Sequence, residues 1–140
     1  MLIQDPEIRE RLREITFVLI GEGAPRMPQH SSLSPERWAQ LNLDQQILMI
    51  GNEMNRAKRS IELGDLKSLS LSYEQVLRLV DLTMEVQQRP TLRRELLLWR
   101  DLIAELYIRT EPSASDHDAA FRALLQFTPV AAQQIPFVLG

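Results

Sequence analysis

The chain has 140 residues, enough for one domain, and its 44% apolar and 25% charged residues are typical of a folded globular protein. It has no cysteine, which excludes disulfides, thiolate metal sites and thiol nucleophiles. The net charge of −3 includes no long block of either sign, so there is no overall basic footprint for nucleic acid. The charged first segment lacks a signal-peptide core, and no apolar run approaches the roughly 20 residues of a membrane span. We therefore expect a cytoplasmic protein without a membrane partner.

The first predicted element is an amphipathic helix over about residues 6–20. Asp5-Pro6-Glu7 is a typical helix start, because aspartate caps, proline fits the first helical position and glutamate complements the helix dipole. The alternative is a strand over residues 15–20, which are rich in β-forming residues. Residues 21–33 contain glycine, proline and serine without an apolar period, which predicts a loop or linker.

Three long amphipathic helices are predicted next, over about residues 44–63, 65–88 and 92–108. Ser34-Pro35-Glu36 starts a short helix ahead of them, and Thr91 is expected to cap the third. Apolar residues recur at three- and four-residue steps along each long helix: Ile47, Ile50, Met54, Ala57 and Ile61; Leu66, Leu69, Tyr73, Val76, Val80 and Thr83; Leu92, Leu96, Trp99, Ile103 and Leu106. These stripes must be buried against each other or against a partner.

The C-terminal part predicts smaller elements. After a break at residues 111–114, Ser115 and Asp118 resemble a capping arrangement for a short helix carrying Phe121, Leu124 and Leu125. The apolar tail at residues 128–140 is expected to dock on the chain's own core, with a partner as the alternative. The pattern predicts a single all-α domain over residues 1–140, a helical bundle of about four to six helices around three long antiparallel amphipathic helices.

Residues 64–79 carry a turn-and-helix motif that begins at Gly64-Asp65 and places an aromatic residue at Tyr73. This stretch resembles the turn and second helix of a tetratricopeptide repeat, a family whose usual role is protein binding. The preceding helix departs from the family pattern at Glu53, Arg56, Ala57 and Ser60. No second copy follows at the period of about 34 residues that such arrays need. We therefore predict one helical hairpin rather than a repeat array.

The Gly64-Asp65 turn is also similar to the hairpins of the HEPN families, some of which are metal-independent ribonucleases. Active members carry an arginine followed, after four to six residues, by a histidine. Here three residues separate Arg26 from His30, and seven separate Arg109 from His117. This resemblance implies an alternative function, an RNA- or nucleotide-associated regulatory domain that lacks the catalytic motif.

No catalytic, cofactor-binding or metal-binding residues are predicted. His30 and His117 lie in segments expected to be a loop and a helix start, where they would be exposed polar side chains. Asp116-His117-Asp118 offers three potential ligands for a divalent ion. Adjacent residues at a helix start point in different directions, however, and capping and dipole effects already explain the two aspartates.

An excess of apolar residues beside the main stripes is the strongest pointer to function. It makes the second and third long helices wider on their apolar side than a two-helix contact requires. We therefore expect a noncatalytic protein-interaction or self-association module, with a homo-oligomer or another protein as partner; a dense monomeric core is the alternative. The candidate interface comprises Leu71, Leu82, Leu98 and Leu102. A nucleic-acid partner is not expected, although a candidate anion patch exists at Arg93, Arg94 and Arg100.

Overall fold

A computed structural model describes residues 33–140, and every regular element in that range is a helix. The helices are α1 (Pro35–Trp38), α2 (Leu43–Leu63), α3 (Leu66–Val86), α4 (Pro90–Ile108), α5 (Ala114–Leu125), α6 (Pro129–Ala132) and α7 (Ile135–Val138). This confirms the all-α prediction. The predicted helix at residues 6–20, its strand alternative and most of the linker at 21–33 lie outside the described residues.

The three long helices and the shorter α5 pack together as a ring of four helices. Helix α2 packs against α3 and α5, and α4 also packs against α3 and α5. Short connections join these four helices, so neighbours along the chain run antiparallel. Helix α1 covers α3, while α6 lies against α2 and α5. The short helix α5 therefore closes the bundle on the side between α2 and α4.

Local capping explains where α2 begins and ends and where α3 begins. At its start, α2 has a capping box in which Asn42 accepts from the Gln45 backbone N–H and the Gln45 side chain accepts from the Asn42 N–H. It ends at Gly64, whose φ of +69° lies in the left-handed region that glycine adopts without a steric penalty. Asp65 then caps α3 by accepting from the Ser68 N–H.

Two predicted caps are wrong. Pro90, rather than Leu92, is the first residue of α4, so Thr91 already lies inside the helix, and the residue before Pro90 makes no side-chain cap. Helix α5 begins at Ala114, which places Ser115 inside its first turn. Ser113 is the cap instead and accepts from the Asp116 N–H at 3.2 Å.

The predicted stripes form the core, with two exceptions. The buried members are Ile47, Ile50, Met54, Ala57, Leu69, Tyr73, Val76, Val80, Thr83, Leu92, Leu96, Trp99, Ile103 and Leu106. Ile61 is partly buried and Leu66 is exposed; both lie beside the turn that joins α2 to α3. Helix α5 adds Phe121, Leu124 and Leu125, all fully buried. Trp38 of α1 is also buried and donates its indole N–H to the Thr83 hydroxyl at 2.9 Å.

The C-terminal tail packs on the chain's own core, as predicted. Ala131 is fully buried, and Ile135, Val138 and Leu139 are partly buried against the core, whereas Phe137 is exposed. Thr128 caps α6 by accepting from the Ala131 N–H. Within residues 33–140, no helix combines the length and the apolar character that crossing a membrane requires.

Candidate interaction surface

Helix α4 presents large aliphatic side chains to solvent as well as to the core. Its buried stripe occupies one side, and the residues between the stripe positions turn outward because each residue rotates about 100° around the axis. The outward side, which we call the α4 outer face, comprises Arg94, Leu97, Leu98, Asp101, Leu102, Glu105 and Ile108, all of them exposed. Four of these seven residues are large and apolar, an unusual share for a surface that meets only water.

One edge of the α4 outer face borders a groove toward α5. A cavity of about 280 Å³ lies there, lined by Leu102, Glu105, Leu106, Arg109, Asp116, Ala119 and Ala120. The two alanines leave the groove open, because a larger side chain at either position would extend into it. Sequence reasoning missed Ala119 and Ala120; their only signal is that two small residues interrupt the larger ones of α5.

The predicted interface residue Leu82 is not available at the surface. Its side chain is only 6% exposed, so its assignment to an interface is wrong. Helix α3 is contacted by α1, α2 and α4, and Leu82 is buried inside the bundle, whereas Leu71 of the same helix stays exposed. For Leu82, packing inside the chain's own bundle accounts for an apolar residue beside the main stripe.

The remaining three leucines do not form one surface. Leu71 is 58% exposed but lies on α3. The edge of α4 that faces α3 carries Arg100 and Tyr107, whose side chains donate to carboxylates of α3. Leu98 and Leu102 lie about half a turn around α4 from that edge, and Leu102 lines the groove toward α5. The structure therefore brings Leu98 and Leu102 together and separates Leu71 from both.

The candidate anion patch is likewise divided. Arg100 donates to both carboxylate oxygens of Asp81, at 2.6 and 3.2 Å, and the hydrogen bond raises the pKa of the guanidinium. Arg93 shares the Arg100 edge, as their seven-residue spacing predicts, whereas Arg94 lies on the α4 outer face. Both are exposed, and neither takes part in an ion pair recorded among residues 33–140. Since Arg100 is neutralised, the three arginines do not act as one cationic patch.

His117 is fully buried, contrary to the prediction of an exposed side chain. Its Nε2 lies 2.9 Å from the Met54 carbonyl oxygen, which can only accept, so Nε2 carries the proton. Nδ1 then accepts from the Tyr73 hydroxyl at 2.7 Å. Burial lowers the pKa of the imidazole, which is therefore neutral and links α2, α3 and α5. The sequence carried no signal for this, because the partners are 44 and 63 residues away.

The carboxylates on either side of His117 diverge, as the sequence indicates. Asp116 accepts from Arg109 at 2.6 Å, a hydrogen bond that lowers the pKa of the carboxyl, and Asp118 accepts from Lys58 at 3.0 Å. The imidazole itself points into the core. Among the described residues, no group of three or more histidine, cysteine, aspartate or glutamate side chains is arranged to hold a metal ion.

Comparison of this chain with protein-family models, curated proteins and solved structures finds no match. The turn-and-helix motif at residues 64–79 is therefore described from the structure alone. Gly64 has a left-handed conformation, Asp65 caps the second helix and Tyr73 is buried against its neighbours. The turn at Gly64-Asp65 and the packed aromatic residue at Tyr73 are what the turn-and-helix motif predicts.

Proposed function

We propose that the chain is a noncatalytic, cytoplasmic protein-interaction module that binds its partner through the α4 outer face. One observation carries this proposal: Leu97, Leu98 and Leu102 are each about half exposed or more, within six residues of one helix. Fully burying a leucine side chain contributes about 1.5–3 kcal/mol, and much of that remains unrealised for each of the three. Covering them with another protein would recover it.

To test this, a photo-reactive amino acid is placed at position 98 or at position 71, and living cells that contain the variant are irradiated to cross-link it to bound proteins. Leu98 and Leu71 offer a matched pair, because both are leucines on long helices and they are 62% and 58% exposed. We expect protein adducts from position 98 and few from position 71. Equal adducts from both positions, or none from position 98, would contradict the proposal.

RNA association is the competing function, and the exposed Arg93 and Arg94 are the residues that favour it. It predicts a salt-dependent mobility shift with RNA that disappears in Arg93→Ala/Arg94→Ala, because neutralised phosphates release counterions. Binding of RNA by the wild-type chain, unchanged by Leu98→Glu, would favour this alternative over the interaction module.

A further inference from the structure

We infer that the partner is a second copy of this chain, with the two α4 helices packed antiparallel. The two-fold axis that relates them crosses α4 at the level of residues 99–100 along its length. This inference rests on the proposed function of the α4 outer face and adds the identity and orientation of what covers it. Two-fold pairing is the commonest arrangement of protein oligomers, and it requires a surface that is complementary to itself.

The charges of the α4 outer face meet that requirement. Arg94 and Glu105 lie at its two ends, 11 residues or about 16 Å apart along the axis, and they point within about 20° of the same direction. Antiparallel pairing sets each one opposite the other residue of the second copy. Parallel pairing would instead set arginine against arginine and glutamate against glutamate, an unfavourable arrangement. Glu105 also accepts from Arg109 at 3.1 Å, but 62% of its side chain stays exposed.

The apolar residues obey the same symmetry. Leu98 and Leu102 are centred on residue 100, and the Arg94 and Glu105 pair is centred between residues 99 and 100. The axis that pairs the charges therefore also sets Leu98 opposite Leu102 of the second copy. These two leucines lie between the charged ends, so the apolar contact is flanked by ion pairs, as in many stable interfaces.

One residue opposes this arrangement. Asp101 is exposed and lies next to the axis, so it approaches its own copy. Like charges at that position weaken association. Asp101→Asn keeps the shape of the side chain and removes the charge, and we expect it to tighten the dimer by about threefold to tenfold.

Sedimentation velocity over a range of concentrations tests the inference with a charge-exchange series. We expect Arg94→Glu and Glu105→Arg each to raise the dimer Kd on the order of tenfold, because each creates like-charge pairs. The double variant, which restores opposite charges across the axis, should return to within about threefold of wild type. All three carry changes at exposed sites, and circular dichroism would verify that they fold.

A monomeric wild-type chain, or a double variant no tighter than the single ones, would overturn the inference. Because the chain has no cysteine, single cysteines report orientation directly. Asp101→Cys should form an intermolecular disulfide, whereas Arg94→Cys should not, since antiparallel copies separate those positions by about 16 Å. Disulfides at both positions would indicate parallel pairing. If the chain is monomeric but position 98 cross-links to other proteins, the proposed function stands and this inference is wrong.

Discussion

Replacing Tyr73 with phenylalanine removes one oxygen from the core of the bundle. The tyrosine is 3% exposed, and within residues 33–140 its hydroxyl is the one donor to Nδ1 of the fully buried His117. Water does not reach this position, so the variant leaves an unpaired acceptor beside a new aromatic C–H. An unsatisfied buried acceptor costs about 1–3 kcal/mol, and we expect Tyr73→Phe to lower the free energy of unfolding by about 2 kcal/mol.

Urea denaturation followed by circular dichroism near pH 7.5 measures this change. The midpoint should fall while the slope stays constant, because the surface exposed on unfolding hardly changes. Tyr107→Phe is the matched control: its hydroxyl donates to Glu74 at 3.1 Å on the surface, where water replaces the lost bond. We expect a much smaller shift of the urea midpoint for that variant than for Tyr73→Phe.

The difference in stability between the two tyrosine variants shows whether the buried hydrogen bond to His117 stabilises the fold. If Tyr73→Phe costs no more than Tyr107→Phe, the buried hydrogen bond to His117 contributes no net stability. The buried imidazole would then not act as a stabilising link among the three helices.

Three further predictions concern stability. Because burial lowers the pKa of His117 below its ordinary value of 6.5, the unfolded chain takes up the proton first, and the free energy of unfolding should fall below pH 6.5 by up to about 1.4 kcal/mol per pH unit. A urea midpoint that stays constant down to about pH 5.5 would contradict this. Gly64→Ala should cost about 1 kcal/mol by thermal melting, purely from its φ of +69°, since a Cβ there meets no atom within 4 Å; an unchanged melting temperature would refute this. Asp81→Ala should change the urea-derived stability by less than about 1 kcal/mol, because its pair with Arg100 is solvent-exposed, and a larger loss would show a stronger contact.

The helices were predictable because their signals are local. Proline, the Gly64-Asp65 turn and the three- and four-residue spacing of apolar residues act over one or two helical turns, and they located α2, α3 and α4 to within a few residues. The caps of α4 and α5 were misplaced because several residues at each start could serve. In the structure, Pro90 is the first residue of α4, and Ser113 rather than Ser115 caps α5.

The surface was predictable only in part. Leu82 and Leu98 both lie beside an apolar stripe, and nothing in their local pattern distinguishes them. Leu82 is buried because α3 has neighbours on more than one side, whereas Leu98 is exposed because, among residues 33–140, no helix packs on the outer face of α4. Likewise, Arg100 and Arg93 share one edge, but only Arg100 lies beside an aspartate of α3.

By itself, the sequence determined an all-α bundle and the apolar stripe of each long helix. The tertiary structure decided which flanks of those stripes are covered, that α5 closes the ring, and that His117 is a buried link between Tyr73 and Met54. The physical reason is the distance along the chain over which each signal acts. Helical periodicity specifies which residues share a side of one helix, but the neighbour that buries that side comes from a distant part of the chain.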